Sequence, residues 1–192
     1  MIRTLSGFLG LPSDWDFLPW PHSPDQGEIL LGYSMGGRRA LQLLEQRRFE
    51  KAVIVSAGLN APDDERRLHD DEWARRFESE EWPSLMRAWN AQAVFGGHVV
   101  ERHERDYHRP ELARQLREWS SAVLPPPRLE EIGTPVLWIA GERDARYVEV
   151  ARTAVARLPH AELWICPDAG HRVPWEQPEA FVTRLRAFLE LQ

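Results

Sequence analysis

Leu30-Leu31-Gly32-Tyr33-Ser34-Met35-Gly36-Gly37-Arg38 joins an apolar run over 28–31 to a helical run over 39–46. Between the two runs lies Gly-x-Ser-x-Gly, at Gly32, Ser34 and Gly36. A serine so flanked, after a strand and before a helix, is held on a tight, strained turn that lifts its hydroxyl above the sheet edge. A Cβ at either glycine is expected to strike the opposite arm of the turn. The helical run carries Ala40, Leu41, Leu43 and Leu44 on one face and Gln42, Glu45, Gln46 and Arg47 on the other.

Outward from this turn the chain reads as alternating strands and helices. The next strand is Ala52-Val53-Ile54-Val55, continuous and β-branched, as buried parallel strands are. Strand, helix, strand in succession makes a right-handed parallel βαβ unit. Further strands are expected over 2–5, 134–140 and 162–166, with helices over 147–158 and 178–191. Residues 11–20 can supply one irregular helical turn, and Pro19, Pro21 and Pro24 then argue against regular structure up to Gly27. Between the strands at 52–55 and 134–140 the character changes. Residues 62–127 are charged and helical, with an acidic helix start at Asp63 and Asp64. Three helices are expected there. Leu68, Trp73 and Phe77 face inward on the first, Leu85, Met86, Trp89 and Ala93 on the second (82–95), and Leu112, Leu116, Trp119 and Val123 on the third. The reading is an α/β core over 1–60 and 128–192, a mostly parallel sheet of about five strands with helices on both faces. A helical cap over 61–127 is inserted between two strands.

Composition narrows the classes of function. The 192 residues are 43% hydrophobic and 28% charged, as in a soluble globular enzyme. A formal charge of −6, with no basic block interleaved with aromatics, argues against nucleic acid as a partner. No apolar run approaches the ~18 residues of a membrane span, and 1–5 lack a signal-peptide core. Cys166 is the sole cysteine and falls in an apolar run, which suits a reducing cytoplasm. Lys51 is the sole lysine, so arginine is this chain's general-purpose cation and its presence at one position carries little information.

Three residues fall just past the C-terminal ends of expected parallel strands: Ser34, Asp144 and His171. That edge of an open α/β sheet is where ligands bind. Serine is a poor nucleophile until an imidazole takes its proton, and the imidazole needs a carboxylate to fix its tautomer. Glu142 and Asp168 are rival carboxylates, the first nearer its strand and the second in the same loop as His171. The other six histidines lie in cap or linker segments without a matching carboxylate, and no His/Cys/Asp/Glu spacing indicates a metal. The backbone N–H of Met35, next to the nucleophile, and that of Phe8, between Gly7 and Gly10, are candidates for an oxyanion hole.

Together, Ser6-Gly7-Phe8-Leu9-Gly10 with Trp15, the stretch at 32–38, Gly141-Glu142-Arg143-Asp144-Ala145-Arg146-Tyr147 and Gly170-His171 resemble the α/β-hydrolase superfamily. Within it the chain is most similar to the 2-succinyl-6-hydroxy-2,4-cyclohexadiene-1-carboxylate synthases of menaquinone biosynthesis, over nearly its whole length. The resemblance implies an α/β-hydrolase fold and a serine triad that abstracts a proton and expels pyruvate, with no metal or organic cofactor. It also implies cap arginines for the carboxylates of a small-molecule substrate, which by position match Arg66 or Arg67, with Arg38 the next. A solvated helix face beside Asp63, Asp64 and Asp70 is the competing reading of Arg66 and Arg67. Carboxylic-ester hydrolysis, or an inactive binding protein of the same fold, are the alternatives in function.

The chain departs from that family twice. Ser6 stands where the family has a histidine supporting the loop. Residues 20–27 are too few for the strand and helix that normally precede the elbow. One sheet face then needs another cover, expected from Trp15, Phe17, Leu18 and Trp20 or from a second copy in a homo-oligomer.

Overall fold

In a computed structural model, which describes residues 1–190, the chain forms two compact units. The first comprises Met1–Gly58 and the chain from Pro127 onward; the second is Leu59–Pro126. In chain order the first unit begins with β1 (Ile2–Leu5), β2 (His22–Ser23), β3 (Ile29–Tyr33), α1 (Met35–Gln46) and β4 (Lys51–Val55). The second unit carries α2 (Asp64–Ser79), α3 (Trp82–Asn90) and α4 (Arg109–Glu118). The first then resumes with β5 (Val136–Gly141), α5 (Ala145–Arg157), β6 (Ala161–Cys166), α6 (Val173–Glu176) and α7 (Pro178–Leu189).

The sheet has six strands in the order β2-β1-β3-β4-β5-β6, every neighbouring pair parallel. Every residue of β3 and β5, and all of β4 beyond Lys51, is buried, because helices or loops cover both faces. On one face Leu31, Val53, Leu137 and Ile139 pack with Phe181, Leu185 and Phe188 of α7. On the other, α1 presses so closely on β3 that a Cβ at Gly32 would lie 2.8 Å from the Ala40 Cβ.

The expected count of five strands is corrected to six. The extra strand, β2, pairs His22 with Ile2 and Ser23 with Arg3. Pro21 and Pro24 bracket it and hold it to two residues, since proline brings no N–H to a ladder, while the Pro21 carbonyl still accepts from the Ile2 N–H at 3.0 Å. So short a strand has no side-chain period to reveal it. Between β1 and β2 stands one 3₁₀ turn, Pro12–Trp15. It carries the aromatic cover: Trp15 and Leu18 are buried in the core, and Phe17 and Trp20 pack half-buried against it. The chain thus closes this face with its own residues. α6 and the 3₁₀ turn Leu129–Glu131 were not anticipated, and the predicted end of α7 at Leu191 lies outside the described residues.

The inserted unit is held internally by α2 against α4 and by an aromatic cluster. Trp73 and Phe77 meet Trp89 edge-on, with ring centroids 4.9 and 5.5 Å apart. Arg117 of α4 reaches Asp71 at 2.8 Å and Glu78 at 2.6 Å on α2. Asp63 caps α2 by accepting from the Arg66 N–H at 2.9 Å. Three expectations fail here, and the first is Ala93, which is exposed because the second helix stops before it. Leu68 is exposed, because it lies about 200° around the helix from Asp70, which starts the buried stripe Asp70, Trp73, Ala74, Phe77. Val123 is exposed because α4 stops at Glu118 and its stripe does not extend that far. The second helix also ends early, at Asn90, before a separate 3₁₀ turn Ala93–Phe95.

Candidate active site

Ser34 joins β3 to α1 with φ 53° and ψ −116°, a strained conformation for a residue with a Cβ. Its N–H donates to the Val55 carbonyl at 2.9 Å, and its own carbonyl accepts from the Arg38 N–H at 3.1 Å. The flanking glycines are needed for two different reasons. A Cβ at Gly32 would lie 2.7 Å from the Gly36 carbonyl, across the turn as expected. A Cβ at Gly36 would lie 2.0 Å from the Leu5 carbonyl and 2.4 Å from that of Ser6, so its obstacle is the end of β1 and not the other arm. The first turn of α1 therefore rests on β1 and the loop after it.

That loop runs beside the nucleophile. A Cβ at Gly7 would come within 2.9 Å of the Tyr33 ring and 3.3 Å of the Ser34 Cβ. Phe8 and Leu9 form a turn closed by the Gly10 N–H on the Gly7 carbonyl at 2.9 Å. The N–H of Met35 opens α1 and has no acceptor within the helix. Phe8 and Met35 thus lie in the two backbone segments that flank Ser34. Ser6, in place of histidine, accepts from Trp15 Nε1 at 3.0 Å and donates to the Leu11 carbonyl at 3.4 Å. The loop is tethered through Trp15, part of the substitute cover.

Asp144 and His171 follow β5 and β6, and the parallel register carries both to the edge where Ser34 lies. His171 Nδ1 is 2.7 Å from Asp144 Oδ2, and its Nε2 is 3.2 Å from Ser34 Oγ. A carboxylate can only accept, so Nδ1 carries the proton and Nε2 is left to accept from the serine. Asp144 also caps α5, accepting from the Tyr147 N–H at 3.5 Å. Both His171 and Asp144 are almost wholly buried, at 3% and 9% side-chain exposure, so their attraction is little screened by solvent. The rival carboxylates are placed differently. Glu142 accepts from the Asp168 N–H at 3.3 Å, and Asp168 is solvent-exposed at φ 56°. Among the described residues no group of three His, Cys, Asp or Glu is arranged to hold a metal ion.

The sequence did not reveal what surrounds the imidazole. Tyr147 meets it edge-on at 4.5 Å between centroids and Tyr33 at 5.6 Å. Arg172 is hydrogen-bonded to the Tyr33 hydroxyl, and burial holds that phenol far above its ordinary pKa, hence neutral. Trp175 packs on Tyr33 at 4.8 Å and on Trp15 at 5.4 Å. Pro174 and Pro178, at the starts of α6 and α7, were the available signal for the short helix that carries Trp175.

The three arginines are placed differently. Arg38 is buried in the first turn of α1, one turn after Ser34. Arg66 and Arg67 belong to the inserted unit. Arg66 makes a two-point pair with the buried Asp70, at 2.9 and 2.8 Å, and Arg67 an exposed pair with Asp64 at 3.0 Å. Arg66→Ala strands the Asp70 carboxylate and is expected to cost about 1–2 kcal/mol, a value discounted for the half-exposed guanidinium. Arg67→Ala should cost less than ~0.5 kcal/mol. Urea unfolding of the two variants checks the difference.

Comparison with known proteins places this geometry in context. The alpha/beta hydrolase family profile matches residues 5–184. The chain is 32% identical over 175 residues to the 2-succinyl-6-hydroxy-2,4-cyclohexadiene-1-carboxylate synthase of Serratia proteamaculans, a match covering 83% of this chain and 67% of that one. Against the synthase of the same name from Pectobacterium atrosepticum it is 29% identical over 176 residues, with the same coverage of 83% and 67%. Among solved structures, MenH from S. aureus superposes with a TM-score of 0.85 at 21% identity, covering 98% of this chain and 92% of that one. An esterase from Thermogutta terrifontis superposes with 0.61 at 20% identity, covering 84% and 64%. At these identities the structural matches establish the fold alone.

Proposed function

The chain belongs to the alpha/beta hydrolase family, and from that premise we propose that it is a cytoplasmic enzyme whose Ser34, His171 and Asp144 act as a catalytic triad. The proposed substrate is a small carboxylate-bearing molecule. The proposed reaction is the pyruvate-expelling one of the 2-succinyl-6-hydroxy-2,4-cyclohexadiene-1-carboxylate synthases of menaquinone biosynthesis. The observation that carries the reading is the bridging imidazole, 2.7 Å from Asp144 and 3.2 Å from Ser34.

Each group has a defined task. Nε2 accepts the Ser34 proton as the serine oxygen withdraws a proton from the substrate. The imidazolium so formed is stabilised by the Asp144 carboxylate. Negative charge then develops on a substrate oxygen, and the N–H groups of Met35 and Phe8 are its proposed donors. The C–O bond to the leaving group then breaks, expelling pyruvate as its enolate, and Nε2 gives its proton to that enolate. No step in this sequence calls for a cofactor. Arg38 is the proposed partner of a substrate carboxylate from within the Ser34 unit. Arg66 and Arg67 are the proposed partners from the inserted helices, and recruiting Arg66 requires it to share or leave Asp70.

The test is release of pyruvate from the synthase substrate, followed by coupling to lactate dehydrogenase, with p-nitrophenyl esters as the comparison. Turnover of the synthase substrate well above ester cleavage is expected. Arg38→Ala should raise KM on the order of 10-fold or more, the worth of one charge-assisted bond to a carboxylate. Ester cleavage with no pyruvate release would replace the lyase reading by hydrolysis. Failure of a serine-directed phosphonate to label the wild type at Ser34 would replace both by a binding role.

A further inference from the structure

The loop that carries His171 is gripped on both sides of the histidine by a single carboxylate. Glu176 Oε2 accepts from the Gly170 N–H at 2.8 Å, and Oε1 accepts from the Arg172 N–H at 2.9 Å. The two donors are the residues immediately before and after the imidazole. The carboxylate is largely buried, at 12% side-chain exposure, and the Arg143 guanidinium lies 3.7 Å from it. A carboxylate in that setting forms stronger hydrogen bonds than a neutral acceptor.

Glu176 itself stands on a fixed base. It is the last residue of α6, and its N–H donates to the Arg172 carbonyl at 3.0 Å, closing the turn around the loop. Trp175, its neighbour, donates from Nε1 to the Asp14 carbonyl at 3.1 Å. The same indole packs on Trp15, which is bonded to Ser6 at the base of the loop holding Phe8. α6 therefore ties the histidine loop to the segment that shapes the other side of Ser34.

We propose that Glu176 is a positioning residue for His171. By holding Gly170 and Arg172 it sets the imidazole at the height and rotation where Nδ1 meets Asp144 and Nε2 meets Ser34. The proposal rests on His171 being the base of the reaction proposed above. An ångström of drift at Nε2 separates a 3.2 Å contact from a gap that no proton crosses efficiently, and displacements of that size cost on the order of 10²-fold in rate.

The experiment compares Glu176→Ala and Glu176→Gln with the wild type in the full chain. It reads kcat and KM separately, and the low-field NMR resonance of the His171 Nδ1 proton, assigned by its loss in His171→Ala. In Glu176→Ala, kcat should fall on the order of 10²-fold with KM within about 2-fold, and the resonance should broaden or vanish. Glu176→Gln offers one acceptor to two donors and should fall between, on the order of 10-fold. A role limited to stability would lower the fraction folded and leave kcat per folded molecule and the resonance intact, and that result overturns the proposal. So does a folded Glu176→Ala with unchanged kcat. If Glu176→Ala does not fold, Glu176→Gln decides by the same readouts. Undiminished turnover in Ser34→Ala would remove the proposed reaction. The resonance would still report whether Glu176 orders His171, so the two failures are distinguishable.

Discussion

Ser34→Ala is expected to lower turnover on the order of 10³-fold or more, about 4 kcal/mol of transition-state stabilisation, while leaving the fold intact. The hydroxyl is the group that His171 Nε2 addresses at 3.2 Å, and its removal deprives the imidazole of the proton it is placed to accept. The backbone does not depend on the oxygen. The strained φ of 53° is imposed by the bond from the Ser34 N–H to Val55 and by the close approach of Gly36 to β1, both retained in alanine. Circular dichroism and the unfolding midpoint should therefore match the wild type. Asp144→Asn should produce a loss of comparable order by another route, since an amide can donate to Nδ1 and so select the tautomer with the proton on Nε2. Wild-type turnover in Ser34→Ala would end the triad proposal.

Trp15→Ala is expected to be the most destabilising single substitution outside the sheet, at about 3–5 kcal/mol. Its ring is fully buried against Leu18, Phe17 and Trp175 on the face of the sheet that α7 also covers. Between β1 and β3 in the chain, the 3₁₀ turn and β2 stand in place of a full strand and helix, and Trp15 is the fully buried residue of that turn. Truncation opens a cavity, and it also leaves Ser6 Oγ without the indole donor at 3.0 Å. Against the ~5–15 kcal/mol stability of a typical domain this is a large fraction, readable as a fall in the urea midpoint at unchanged slope. Trp15→Phe keeps most of the apolar area and loses the N–H, so a cost of about 1–2 kcal/mol is expected. A Trp15→Ala cost below ~1 kcal/mol would mean that the face is covered by something other than this segment.

Much of the core was legible because its signals are local. The strand at 29–33, the elbow and the helix after it each announce themselves by period or by glycine, as do the strands that precede Asp144 and His171. The inserted helices were legible in number and less so in face and extent: Leu68 lies on the exposed side of α2, and Val123 lies beyond the end of α4. β2 was invisible, having two residues between prolines. Glu176 was missed because its importance lies in which N–H groups it meets, and a glutamate near a helix end is otherwise unremarkable in sequence.

The sequence by itself determined most of the strands and helices of the core, β2 and α6 excepted, and in what order Ser34, Asp144 and His171 leave the sheet. These follow from backbone sterics and hydrophobic period, which act over a few residues. The tertiary structure decided that Asp144, and not Glu142 or Asp168, meets an imidazole 27 residues away, and that the same imidazole reaches a serine 137 residues away. It also decided that Trp15 and its neighbours close the face left open before the elbow, and that Glu176 grips the histidine loop. The physical reason is range. A hydrogen bond of under 3 Å between distant residues depends on the summed positions of every element packed between them, and no local pattern encodes that sum.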